Sequence, residues 1–154
     1  MLNDYFVFTI ENQRYAVTLS AVEKVIRAVE LIPLPSPDIL LGLINIREKI
    51  IPVVNIRKRF CLPVREVDID DRIIISRVSS RTIAFIVDTV EGVVSFSQDQ
   101  LDEGGQIFPE MEHYIEGVGK INGDTIIIYN INKLLSARDI EGETKLVTSE
   151  HIDF

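Results

Sequence analysis

Cysteine occurs once in the 154 residues, at Cys61, so no disulfide can close within the chain and the core has to hold without one. No apolar run approaches the roughly 18 residues that a membrane-crossing helix needs. The opening segment MLNDYFVFTI carries an acid where a secretory leader carries a basic stretch, which points to the cytoplasm and to no direct membrane insertion. Histidine occurs twice, at His113 and His151, too far apart for a local ligand pair, and Cys61 has no neighbouring His. There is no phosphate loop, no G-x-S-x-G and no G-x-G-x-x-G. Glu66, Asp68, Asp70 and Asp71 lack the Gly turn and the closing Glu of a calcium loop. The expectation is a protein with no catalytic residue, no cofactor and no metal.

What the chain does contain is an ordinary globular composition, 46% hydrophobic and 26% charged, at a length that suits one domain with a real core. Its net charge of −8 is uneven. Residues 1–65 hold nine Lys/Arg against six Asp/Glu, and residues 66–154 hold seven against eighteen. An acidic chain whose basic stretch offers only Phe60 for base stacking is poorly suited to nucleic acid, although a small-barrel nucleic-acid binder stays open as an alternative from another class.

The chain also repeats itself. Gly42–Phe60 (GLINIREKIIPVVNIRKRF) matches Gly117–Leu135 (GVGKINGDTIIIYNINKLL) at a shift of 75, with Gly42/Gly117, Ile51/Ile126, Asn55/Asn130 and Lys58/Lys133 identical. Upstream, Ala16–Arg27 matches Ala84–Ser95 at a shift of 68. Short β-branched runs at 50–54, 73–75, 83–87 and 126–129 read as strands buried on both faces, and Phe6, Phe8 and Ile10 alternate with neighbours expected to be more exposed. Turn-like segments at 11–14 and 79–81 predict a hairpin at the start of each half. Helices should be short. Asn55 and Asn130 are candidate caps of equivalent turns, Ser97 begins another, and Ser36-Pro37-Asp38 reads as a helix start with Gly42 as its stop. The stretch from Asp102 to His113 reads as a loop and 142–154 as a polar tail.

The segments AVTLSAVEKVIR, IPLPSPDILL and GLINIREKIIPVVNIRKRF, followed by VDTVEGVVSF and YIEGVGKINGDTIIIYNINKLL, resemble in order and spacing the blocks of the chemotaxis coupling protein family, CheW. The resemblance covers about residues 5–138. It implies a mainly β fold of two pseudo-symmetric five-stranded SH3-like barrels, within a domain over 1–140 made of two intertwined barrel subdomains near 16–67 and 72–138, ahead of a tail at 141–154. It also implies a non-enzymatic adaptor that couples the cytoplasmic tip of a chemoreceptor to the regulatory domain of the histidine kinase CheA, in the cytoplasm at membrane-associated receptor arrays. An adaptor of a non-chemotaxis array is the alternative within the class.

Carried over by position, the resemblance implies partner contacts at Val25, Ile26 and Arg27, at Asn45 and Arg47, and at Val87, Val90 and Val93. From the residues alone, alternating Val on a strand is equally a core pattern. The basic residues Arg47, Lys49, Arg57, Lys58, Arg59 and Arg65 are open to two readings, a solvated helix face or a patch that steers an acidic partner. Three positions depart from the family pattern. Glu48 stands where Gly is usual, which predicts a reshaped turn if that Gly takes positive φ. Lys24 replaces an acid that here falls at Glu23, and Asn55 replaces an Asp.

Overall fold

The computed structural model describes residues 2–34, 40–102 and 114–135. It holds ten strands: β1 (Leu2–Ile10), β2 (Gln13–Thr18), β3 (Val22–Arg27), β4 (Leu40–Ile46), β5 (Lys49–Val54), β6 (Arg72–Val78), β7 (Arg81–Val87), β8 (Thr89–Ser97), β9 (Ile115–Ile121) and β10 (Asp124–Tyr129). Two one-turn helices follow β5 and β10, α1 (Ile56–Arg59) and α2 (Ile131–Leu134). The strands form two five-stranded sheets, ordered β8-β1-β2-β10-β9 and β3-β6-β7-β5-β4. These are the two SH3-like barrels.

Aligning the two halves of the chain pairs β1–β5 and α1 with β6–β10 and α2, and the matched segments adopt the same structure. Each half opens with an antiparallel hairpin, β1–β2 or β6–β7. Each later hairpin, β4–β5 or β9–β10, runs parallel to one strand of an opening hairpin: β5 to β7 and β10 to β2.

The opening hairpins are exchanged. β1–β2 joins β8–β10 of the second half, and β6–β7 joins β3–β5 of the first. Each barrel is thus completed by a hairpin from the other half of the chain, so the two are intertwined. The connections explain it: only Leu19–Ala21 separates β2 from β3, and only Asp88 separates β7 from β8. At about 3.3 Å per residue, such links carry a strand straight on into the neighbouring barrel but cannot return it to its own edge.

Exchange buries both faces of each hairpin. In β1, Tyr5 and Val7 point into one barrel, while Phe6, Phe8 and Ile10 meet the core between the barrels. Tyr5 and Val7 are thus buried and not exposed as the alternation suggested. In β6, Ile73 and Ile75 fill the other barrel while Ile74 joins the central core, and in β7 Ala84 faces inward between Ile83 and Phe85 on the central side. Phe60, just after α1, stacks on Tyr129 at 4.3 Å and lies 4.6 Å from Tyr15, which ties both halves into that core. The buried hydroxyl of Ser76 donates to the Ile83 carbonyl at 2.7 Å.

The capped turn at Ser97 is present as a capping box with Gln100, and Asn130 accepts from the Lys133 N–H at 3.2 Å. Asn55 precedes α1 without a side-chain cap bond. The helix start at 36–38, the loop interior at 103–113 and the tail lie outside the described residues.

Gly42 is not a helix stop; it lies within β4. The Ile32 backbone pairs with Leu43 at 2.8 and 2.9 Å and crosses close over Gly42, where an added Cβ would come within 2.5 Å of the Ile32 carbonyl oxygen. At the equivalent place in the second half, Leu101 lies against Gly117. Gly42→Ala is expected to cost about 1–3 kcal/mol by forcing that crossing away. Urea denaturation reads this, and an unchanged midpoint would show that the crossing is loose.

Candidate partner-binding site

β3 and β8 occupy equivalent positions, each at one edge of its sheet. Their two-residue period decides what each expected contact residue can do. Val25 is half-buried and packs on the central core. Ile26, on the opposite face, packs inside its own barrel, and Arg27 is exposed at the end of β3. On the second side, Val90 is half-buried against the central core and Val93 is 52% exposed, opposite Phe6 in the β1–β8 register. Val87 has no exposed surface and belongs to the central core, so it cannot touch a partner. It lies on β7, before the chain passes through Asp88 into the other barrel.

Phe6, Ala21 and Val22 share the half-buried setting of Val25 and Val90 on the central core. Sequence reasoning missed them as surface residues. Alternation marks Phe6 as apolar on one face, but nothing local shows that this face is only partly covered. The result is a discontinuous apolar margin along the joint between the barrels.

Asn45 and Arg47 lie elsewhere, on β4 and in the β4–β5 turn, and both are exposed. β4 is the other edge of the sheet that begins with β3. The turn is not reshaped by Glu48. Arg47 and Glu48 take φ of 50° and 66°, the left-handed pair that the equivalent β9–β10 turn makes with Asn122 and Gly123 at 50° and 85°. Asn-Gly is the sequence that such a hairpin turn favours. Arg-Glu holds the same shape against steric preference, because the strand pairing on both sides fixes it. The acid at Glu23 is paired with Arg77 at 3.3 Å.

The basic cluster is not one surface. Arg57 is 9% exposed at its side chain and is bound by Glu11 from the β1–β2 turn, by Asp88 at 2.7 Å and by the Pro63 carbonyl at 3.0 Å. Arg65 grips Asp71 through two bonds of 2.7 and 2.9 Å and also reaches Asp88 at 2.7 Å. Asp71 is therefore engaged by Arg65 and by the Asp68 N–H, not held free as a ligand. The cluster joins the first hairpin, α1, the β7–β8 passage and the segment between the halves. In the second half the matching contact is neutral: Asn132 accepts from the Ser79 N–H at 3.2 Å, at positions equivalent to Arg57 and Glu11. Lys49 donates to Thr82 at 2.8 Å.

Burial alone would raise the Asp88 carboxyl, but the Glu11 N–H together with Arg57 and Arg65 holds it below the usual carboxylate value. A depressed carboxylate stabilises the fold above its unfolded value, about 3.9, and that contribution is lost as pH falls through the lower folded value. The urea midpoint is thus expected to fall over this acid range. Asp88→Asn should be less stable at neutral pH yet lose less on acidification, and an acid limb identical to that of the wild type would contradict the assignment.

Two barrels locked by exchanged hairpins, with an apolar margin at their joint and an exposed turn on a separate edge strand, define a rigid β module that presents surfaces. Among the described residues no group of three potential ligands is placed to hold a metal ion, and no helix is long and apolar enough to cross a membrane. The CheW-like domain family model matches residues 4–139. The chain is 32% identical to the chemotaxis protein CheW of Thermotoga maritima over 129 residues, covering 83% of this chain and 84% of that protein. It is 25% identical to the chemotaxis protein CheW of Treponema pallidum over 140 residues, covering 87% and 82%. The crystal structure of the scaffolding protein TtCheW from Thermoanaerobacter tengcongensis superposes with a TM-score of 0.78 at 28% identity, covering 89% of this chain and 94% of that one. The chain belongs to the CheW-like family and is a scaffold of the chemotaxis type.

Proposed function

We propose that the chain is a non-catalytic adaptor that joins the cytoplasmic tip of a chemoreceptor to the regulatory domain of the histidine kinase CheA. The observation that carries this reading is the apolar margin at the joint between the barrels. Phe6, Ala21, Val22, Val25 and Val90 pack on the central core with one side only, and Val93 stands exposed beside them in the register. A helical hairpin laying apolar side chains along this margin would complete the burial that the fold leaves unfinished, with Arg27 at the end of β3 setting its orientation. Burial supplies the affinity and the charge supplies the register.

The kinase takes the other surface, the β4–β5 hairpin with Asn45 and Arg47. Arg47 makes no ion pair among the described residues and is free to meet a carboxylate of the partner. Two surfaces on one rigid body allow both partners to be held together, and no reactive group is required for that. The adaptor works in the cytoplasm and is drawn to receptor arrays through the receptor tip.

Calorimetric titration of the purified chain with each partner separately tests this. Val93→Asp is expected to weaken the receptor fragment about tenfold and leave the kinase domain unchanged, and Arg47→Ala the reverse. Glu48→Gly should raise stability by about 1 kcal/mol by relieving the left-handed turn, and should retain kinase binding. Loss of both partners in either variant, or of neither, would contradict two separate surfaces. Kinase binding only after Glu48→Gly would mean a diverged partner, as an adaptor of a non-chemotaxis array would have.

A further inference from the structure

The duplication makes each barrel a control for the surface of the other. After β3 the chain crosses to β4 and makes one backbone bridge, Ile32 with Leu43; after β8 it makes the same bridge, Asp102 with Val118. Ile32 and Asp102 are equivalent, so the fold accepts a carboxylate there. Ile32 is nevertheless 46% exposed. Three residues earlier Val29 is 42% exposed where the second half has Ser97, at the 68-residue shift that relates the two halves at β3 and β8. These apolar side chains answer no need of the fold.

Facing this crossing, the segment between the halves adds Val67 and Ile69, the latter 85% exposed. Ala28, Val29, Leu31, Val67 and Ile69 line one cleft of about 420 Å³, with Glu30 and Asp68 in its wall. The segment is rigidly held. Its Asp71 carboxylate is gripped by Arg65 and accepts from the Asp68 N–H at 2.8 Å, the Asp71 N–H donates to the Asp68 carbonyl at 3.0 Å, and the Asp71 carbonyl accepts from the Ala28 N–H at 3.1 Å. Ile69 is thus displayed on a fixed turn, which lowers the ordering cost of binding.

The rim is acidic. Among the described residues Glu30, Glu66 and Asp70 make no ion pair, and the Asp68 carboxylate accepts from the Asp70 N–H at 2.9 Å. Arg72 turns its guanidinium back onto the Asp70 and Asp71 carbonyls, and Arg27 opposes it in the β3–β6 register. An acidic rim around an apolar floor disfavours an anionic membrane or a nucleic acid and suits apolar side chains flanked by cations.

We propose that this cleft docks a peptide segment of a partner protein that carries two or three apolar side chains flanked by Lys or Arg. The site is distinct from the joint between the barrels and from the β4–β5 turn, and stands whether or not the adaptor reading holds.

The test is methyl NMR of the full chain titrated with a short acetylated peptide of alternating Leu and Lys, its Leu–Glu counterpart, and phosphatidylglycerol vesicles. Saturable shifts at Val29, Leu31, Val67 and Ile69 are expected with the Leu–Lys peptide alone. Ile69→Ser and Glu30→Lys, each at an exposed position, should weaken that binding about tenfold with the thermal midpoint unchanged. Shifts centred on Val25 and Val90, an equal response to the Leu–Glu peptide, binding to the vesicles, or no saturable shift would each overturn the proposal.

Discussion

The structure depends on the burial of two β-hairpins on both of their faces. Each hairpin fills one barrel with one set of alternate side chains and the central core with the other, so that neither barrel exists without the half of the chain that it borrows from. The short passages at Leu19–Ala21 and Asp88 enforce the exchange. The parallel pairs β2–β10 and β5–β7 then close each barrel around the borrowed hairpin. Arg57, Arg65, Asp71, Asp88 and Glu11 tie these parts together at the point where the chain changes barrels. Losing one partner would leave a charge that is mostly buried, which makes the cluster a condition of the arrangement more than a source of net stability.

Such a body suits a scaffold. Its shape is fixed by long-range pairing, so surfaces on different edge strands hold constant positions relative to one another, as simultaneous binding of two proteins requires. Duplication gives two copies of every surface, and the copies have diverged where the fold does not constrain them. Asn122-Gly123 is a relaxed turn while Arg47-Glu48 keeps the same turn under strain. Ser97 and Asp102 are polar where Val29 and Ile32 are apolar and exposed. The first-half surfaces depart from what folding alone favours.

Much of this was legible in the sequence. The shifts of 75 and 68 between matching segments carry the pseudo-symmetry, the turns at 11–14 and 79–81 carry the opening hairpins, and the ordered blocks carry the family. What was not legible depends on contacts far apart in the chain. Hairpin exchange leaves no local mark, because a strand buried on both faces reads the same in either barrel. Val87 and Val90 are one residue type in one block, yet the passage at Asp88 puts the first in the core and the second on the margin. Gly42 followed a helix-start signal and read as a stop, whereas its reason is Ile32, ten residues earlier and pressed against it. Arg57 sat in a basic run that suggested a surface, and its partners Glu11 and Asp88 lie 46 and 31 residues away.

That the two barrels form one indivisible unit is the claim on which the rest stands, and differential scanning calorimetry tests it most directly. One transition is expected, with calorimetric and van't Hoff enthalpies equal and with Gly42→Ala, in one barrel, lowering the midpoint of the whole chain. Two resolved transitions, with Gly42→Ala moving only one of them, would show that the barrels stand independently and would contradict a core built from exchanged hairpins.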